Sequence, residues 1–309
     1  MRHVRWLLCL VTLALVPVVG RAQPQVKHDT TVVRRAGYAG TEACIDCHKK
    51  AVASFAATSM GKLFLEHPRN DREKLGCESC HGPSKQHAES GGEERGEMIS
   101  FSGKAPSSVA TRNATCLSCH DKTARALWQG STHEQRNVAC TDCHTLMHAG
   151  SERANLAKTS VMETCAKCHQ QKVSQLTRFS HMPITDGKLE CSTCHNPHGS
   201  PNEKLLIASS VNQTCYTCHA EKRGPFLYEH APVVENCANC HDPHGSNKEK
   251  LLKVSRPRLC QQCHPTAHGS TTAKPADLAT VRFVYNKGCV NCHLNLHGSN
   301  HPAGAFFTR

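Results

Sequence analysis

Residues 191–200 read CSTCHNPHGS: two cysteines three positions apart, a histidine directly after the second, and another histidine three positions later. Cysteine, two residues, cysteine, histidine is the attachment sequence of a c-type haem. Cys191 and Cys194 bind the macrocycle and His195 takes the iron. His198 cannot serve the same iron, because two intervening residues cannot carry the chain round the porphyrin edge to the opposite face. It must ligate something else.

The motif recurs ten times and uses every cysteine except Cys9. Its cysteines are Cys44 and Cys47, Cys77 and Cys80, Cys116 and Cys119, Cys140 and Cys143, Cys165 and Cys168, Cys191 and Cys194, Cys215 and Cys218, Cys237 and Cys240, Cys260 and Cys263, and Cys289 and Cys292. The following histidines are His48, His81, His120, His144, His169, His195, His219, His241, His264 and His293, the expected proximal iron ligands. Zinc ribbons also use paired cysteines, and exported chains use disulfides. Neither needs a histidine after every second cysteine, so the pattern predicts ten c-type haems.

The other histidines keep an equally regular order. The motifs fall into five pairs, with one histidine between the members and one shortly after the second: His67 and His87, His133 and His148, His181 and His198, His230 and His244, His268 and His297. Ten histidines matched to ten irons read as sixth ligands. The expected arrangement is exchange within each pair, His198 binding the iron of the haem on Cys165 and Cys168, and His181 that of the haem on Cys191 and Cys194. Two positions are ambiguous. Met60 follows His48 by 12 residues, the spacing of His181 from His169, whereas His67 follows by 19. Phe55 precedes Met60 as Trp128 precedes His133, so Met60 holds the repeat position and His67 the expected chemistry. His301 could replace His268 or His297.

The elements that must position these ligands are short. KKAVASFAATS, DKTARALWQ and QQKVSQLTRF, each following the first motif of a pair, predict short helices, and loops supply the rest. The segment from Gly82 to Thr115 reads as a solvated linker. NPHGSPNEKLL after His195 and DPHGSNKEKLL after His241 are near-identical repeats; glycine after the ligand permits a tight turn, and the serine can cap the next segment. About 29 residues per haem cannot build an ordinary hydrophobic core. The expected fold is a multihaem cytochrome c, elongated and loop-rich with short α-helices and little or no β-sheet, whose ten covalent haems are the core, unfolded without them as zinc fingers are without metal.

Residues 1–22 combine Arg2 and Arg5, an apolar run from Trp6 to Val19 and a small-residue site at Gly20 and Ala22, the signature of a secretory signal peptide. An N-terminal tail over 23–40 and a haem array over 41–309 follow, with pairs at about 41–90, 113–150, 162–200, 212–246 and 257–301. The formal charge is +12, or +9 without residues 1–22. Ten haems, each bringing two propionates against one net positive charge on a ferric centre, would add about ten negative charges when oxidised and about twenty when reduced, so the excess of lysine and arginine reads as internal compensation. Nothing indicates a nucleic-acid partner. Because ligand supply matches demand, no open iron is evident, and an electron carrier is expected rather than an enzyme.

CESCHGPSKQH, TCYTCHAEKRGPFLYEHAPV, NCANCHDPHGS, LCQQCH and LHGSNHPAG, set among ten motifs in this order, resemble the MtrA/DmsE family of exported decahaem cytochromes. The resemblance covers nearly all of the chain after residue 22. It implies a haem wire sheathed by an MtrB-like outer-membrane β-barrel, linking periplasmic donor cytochromes to an extracellular multihaem cytochrome or terminal reductase, in metal or sulfoxide respiration or in iron oxidation. That places the protein in the periplasm, held at the outer membrane by its barrel. A freely diffusing periplasmic shuttle and a multihaem reductase are the competing readings. The family usually has histidine at the position of Met60.

Overall fold

The computed structural model describes residues 36–302 and 304–307, apart from 103–105, 149, 152, 182–183, 185 and 266–287. Residues 1–22, read above as a signal peptide, and the expected ligand His268 lie outside the described residues. Helices are short, the longest being Val109–Leu117 with nine residues. Antiparallel pairing is confined, among the described residues, to single bridges such as His195 with Leu206 and His241 with Leu252.

In the second, third and fourth pairs the first motif sits at the end of a helix opened by a serine. Ser108, Ser160 and Ser210 accept from the N–H of Thr111, Glu163 and Gln213, and so cap Val109–Leu117, Val161–Ala166 and Val211–Tyr216. A serine hydroxyl satisfies an N–H that the first helical turn cannot pair internally. The second motif is a single turn, α-helical at Cys140–Cys143 and Cys191–Cys194 and 3₁₀ at Cys237–Asn239 and Cys289–Asn291.

Buried polar side chains tie the two motifs of a pair together. Asn212, on the helix of one motif, donates to the carbonyls of Val233 and Val234, 2.9 Å each, and accepts at 2.7 Å from the N–H of Cys237 at the start of the next. Asn113 does the same for Val138 and Cys140. In the first pair the Glu78 carboxylate, only 2% exposed with its residue, accepts from the N–H groups of Ala39, Gly40 and Ser84 and from the Ser84 hydroxyl. Among the described residues, thirteen polar residues are buried against seven apolar ones, so a conventional hydrophobic core does not hold the chain together. Asn212→Ala should therefore cost about 1–3 kcal/mol, the usual penalty for leaving buried backbone groups unpaired. The denaturation midpoint of the haem-loaded protein measures it.

Two expectations need correction. KKAVASFA and QQKVSQL form the helices Lys49–Ala56 and Gln170–Leu176, but DKTARALWQ yields only the 3₁₀ turn Thr123–Arg125. Thr123 has φ +58°, which α-helix cannot accommodate. The segment from Gly82 to Thr115 is also more than a solvated linker. It contains the helix Lys85–Glu89, and Ile99 returns to His81, donating to its carbonyl at 2.7 Å and accepting from its ring at 2.9 Å.

Candidate functional site

Motif cysteines meet in a regular alternation. Within every pair the first cysteines are electrostatic neighbours: Cys44 and Cys77, Cys116 and Cys140, Cys165 and Cys191, Cys215 and Cys237, and Cys260 and Cys289. In the first three of these pairs the neighbouring thiol lowers the pKa of the second member, Cys77, Cys140 and Cys191, and raises that of its partner. Between pairs the second cysteines are electrostatic neighbours: Cys80 and Cys119, Cys143 and Cys168, Cys194 and Cys218, Cys240 and Cys263. First-to-first and second-to-second neighbours alternate, so successive motifs follow one another in a row.

Histidine rings face one another at a spacing that suits a shared metal. The imidazoles of His48 and His87, His133 and His169, His144 and His198, His181 and His219, His195 and His244, His230 and His264, and His241 and His297 have centroids 6.0–6.3 Å apart. Two metal–nitrogen bonds of about 2 Å each, plus the distances from nitrogen to ring centre, come to roughly this value. Each of these pairs contains one histidine that directly follows a CxxC and one that does not.

These pairings differ from the expected exchange within pairs. His198 faces His144 rather than His169, and His181 faces His219 rather than His195. The exchange is reciprocal between neighbouring pairs. His133 reaches forward to His169 while His198 reaches back to His144; His181 and His244 repeat this at the next junction, and His230 and His297 at the one after. The reason is local. Asn196 accepts the His198 N–H at 3.1 Å in a tight turn that throws the imidazole away from its own motif, and the adjoining Pro197 carbonyl accepts from the His133 ring at 2.7 Å. Only His87, among the described residues, turns back to its own pair.

A metal-bound imidazole characteristically donates its other ring N–H to a carbonyl, which fixes the tautomer and the ring plane. Nδ1 of His81, His144, His195 and His241 donates to the carbonyls of Ile99, Ala154, Lys204 and Lys250 at 2.7–2.9 Å, and that of His293 to Phe306. Among the opposing rings, His87 and His230 donate to Glu94 and Leu296 at 3.1 Å. Each Nε2 is left for iron. Burial pushes His181, His198, His230, His244 and His297 down, His198 to about 4, which keeps them in the neutral form a metal requires. Thiol pairs, facing neutral imidazoles and carbonyl anchors together fit c-type haem.

Comparison with known proteins agrees. A model of the doubled CXXCH motif matches residues 181–224 and 230–270, one described as cytochrome c-type protein NrfB-like matches 77–161, and one described as cytochrome c554 and c-prime matches 20–82. The chain is 41% identical over 276 residues to Multiheme cytochrome MtrA of Shewanella baltica (strain OS185), covering 87% of this chain and 81% of that protein. The chain belongs to the MtrA-like multihaem cytochromes. It is also 27% identical over 173 residues to C-type polyheme cytochrome OmcB of Geobacter sulfurreducens, covering 52% of this chain but only 20% of that protein. Family and motifs make this a c-type haem protein of electron transport.

The MtrA-like cytochrome also carries anchoring groups that the motif reading missed. Lys204 and Leu205, Lys250 and Leu251, and Ala154 and Asn155 all have φ between +51° and +58°. Left-handed backbone at non-glycine residues costs of order 1–3 kcal/mol and persists where surrounding structure enforces it. In each case the first residue of the strained pair presents its carbonyl to a proximal imidazole. For Lys204 and Lys250 the repeated EKLL was the available signal, since a repeat outside the ligands themselves needs a job.

His148 and His67 are not brought opposite another imidazole among the described residues. His148 lies beside the Thr145 hydroxyl at 3.3 Å, and the His67 side chain is 79% exposed beside Glu66.

Proposed function

We propose that this cytochrome carries ten c-type haems on its ten motifs and conducts electrons along them across the outer membrane, inside an MtrB-like β-barrel. Cys44 through Cys292 would supply the thioether bonds and the ten motif histidines the proximal ligands. His87, His133, His181, His198, His230, His244 and His297 would supply sixth ligands to the irons of the histidines they face, and His148 and a residue near the C-terminus, His268 or His301, those of His81 and His293. Haem supplies one-electron chemistry at iron; the chain's part is to hold each imidazole, through its carbonyl anchor, so that the iron changes charge with little movement around it.

The observation that carries the reading is the alternation of neighbouring cysteines, which supports porphyrins following one another edge to edge. A membrane with its headgroups is about 40–45 Å thick, a distance for a row of haems and not for one or two. A loop-rich chain with polar connectors cannot face lipid, because its backbone groups would go unsatisfied, and a closed barrel removes that problem. No helix among the described residues is long and apolar enough to cross a membrane by itself. Periplasmic cytochromes would exchange electrons at one end, and an extracellular multihaem cytochrome or terminal reductase at the other.

Mild detergent extraction of outer membranes, with purification through a tag on the cytochrome, is the test. Recovery of a β-barrel at equal stoichiometry is expected, and any third subunit would be the outside partner. Recovery of the cytochrome alone from the periplasm, with a barrel gene expressed, would replace the conduit with a diffusing shuttle.

A further inference from the structure

Two helices in this chain begin identically. Thr58 opens Ser59–Leu65, its hydroxyl accepting from Gly61 N–H at 2.9 Å and its carbonyl from Lys62 N–H at 3.0 Å. Ser131 opens Thr132–Gln135, its hydroxyl accepting from Glu134 N–H at 3.2 Å and its carbonyl from Gln135 N–H at 3.0 Å. Three residues before each cap lies a buried aromatic, Phe55 or Trp128, whose carbonyl accepts the cap's own N–H. His133 stands at the second position of its helix and faces His169, the first motif histidine of the following pair. Met60 stands at the second position of the other helix.

The corresponding target for Met60 is His120, the first motif histidine of the next pair. Among the described residues no imidazole stacks opposite His120. The chain leaving Ser59–Leu65 runs towards that motif: Arg69 is within electrostatic reach of Cys119, and Arg72 and Cys80 line a cavity of ≈ 400 Å³ together with Thr115. His67 lies beyond the end of the helix, mostly exposed, outside the capped turn that presents His133.

We infer that the Met60 thioether is the sixth ligand of the iron held by His120, so that the haem on Cys116 and Cys119 is a histidine–methionine centre in a row of bis-histidine ones. The inference rests on the ligation between neighbouring pairs proposed above. It assigns Met60 to the third motif, not to CESCH, and gives His67 no iron. A neutral sulfur lone pair forms the bond and no proton is released. Methionine ligation raises a haem's potential, so the third haem would be the most oxidising in the row, an electron resting place near the N-terminal end.

The experiment uses the haem-loaded full chain. Ferric haem with a methionine ligand shows a weak far-red sulfur-to-iron charge-transfer band that bis-histidine haem lacks. The unaltered protein should show this band at an intensity of one haem, with one component of its redox titration well above the others. Met60→His should abolish the band, keep every haem low-spin and return that component to the range of the rest. Met60→Ala should leave one high-spin haem, and His67→Ala should change nothing. Absence of the band from the unaltered protein, or its survival in Met60→His, would overturn the assignment; so would a high-spin haem in His67→Ala. The band is read independently of whether a barrel copurifies, so failure of the conduit and failure of this ligand are separate results.

Discussion

Replacing His198 with alanine is expected to turn one haem high-spin, and that haem should be the one held by Cys140, Cys143 and His144, in the preceding pair. The His198 ring faces His144 with centroids 6.0 Å apart and planes 15° from parallel, and among the described residues it is paired with no other imidazole. Its immediate neighbours are those of the junction between the second and third pairs, namely His144, Arg125 and His133. Electron paramagnetic resonance of the oxidised protein should show high-spin iron amounting to one haem. Location follows from serine substitution of the attaching cysteines. His198→Ala should add no high-spin signal to a chain lacking the haem at Cys140 and Cys143, and should still add it to one lacking the haem at Cys165 and Cys168. The reverse pattern would restore exchange within pairs and remove the junctions on which the row depends.

Gly245→Ala should be among the most damaging single-methyl changes at the described glycines. The glycine lies in the loop that carries His244, at φ +134°, and a Cβ there would meet the Gln175 carbonyl oxygen at 2.0 Å. A conformation that only glycine adopts readily costs about 1–3 kcal/mol with any other residue, and here the clash is with backbone that cannot swing away. To relieve it the loop must leave the 171–179 segment, breaking the Ser246–Phe179 bridge and withdrawing His244 from His195. The expected result is a fall in stability beyond about 3 kcal/mol, accompanied by a high-spin haem at Cys191 and Cys194. Gly187→Ala is the control, since its φ is +70° with nothing within 4 Å of the added carbon. It should cost about 1–2 kcal/mol, the left-handed penalty alone, with every iron still low-spin. Equal losses at the two positions would mean that the close approach to Gln175 contributes nothing.

Legibility in the sequence followed the range of the interactions. CxxCH is complete within five residues, so every motif could be read directly, as could the loop-rich fold that so many motifs impose. Which histidine faces which could not, because nearness along the chain was taken for nearness in space. Asn196 turns His198 outward, while Cys165 and Cys191 make the two motifs of their pair neighbours. The glycine of PHGS was readable as a turn residue; its closer constraint, the Leu127 carbonyl 1.9 Å from a Cβ at Gly199, comes from a segment some seventy residues earlier. The anchoring carbonyls of Ala154, Lys204 and Lys250 belong to the backbone; only the latter two leave an indirect trace, the EKLL repeat, and Ala154 in ERANLA leaves none. DKTARALWQ failed as a helix through Thr123, whose φ no local propensity forecasts.

The reciprocal stitching between neighbouring pairs has a consequence for how the protein can come apart. In a solenoid each repeat touches only its neighbours, and severing it between repeats leaves two shorter arrays. Here a cut between the third and fourth pairs would separate His181 from His219 and His195 from His244, stripping a proposed ligand from an iron on each side. His87, turned inward on His48, closes the first unit as a cap does. Such an array has no seam at that junction along which it divides into working halves, and a unit spliced in there must itself offer one histidine forward and one back.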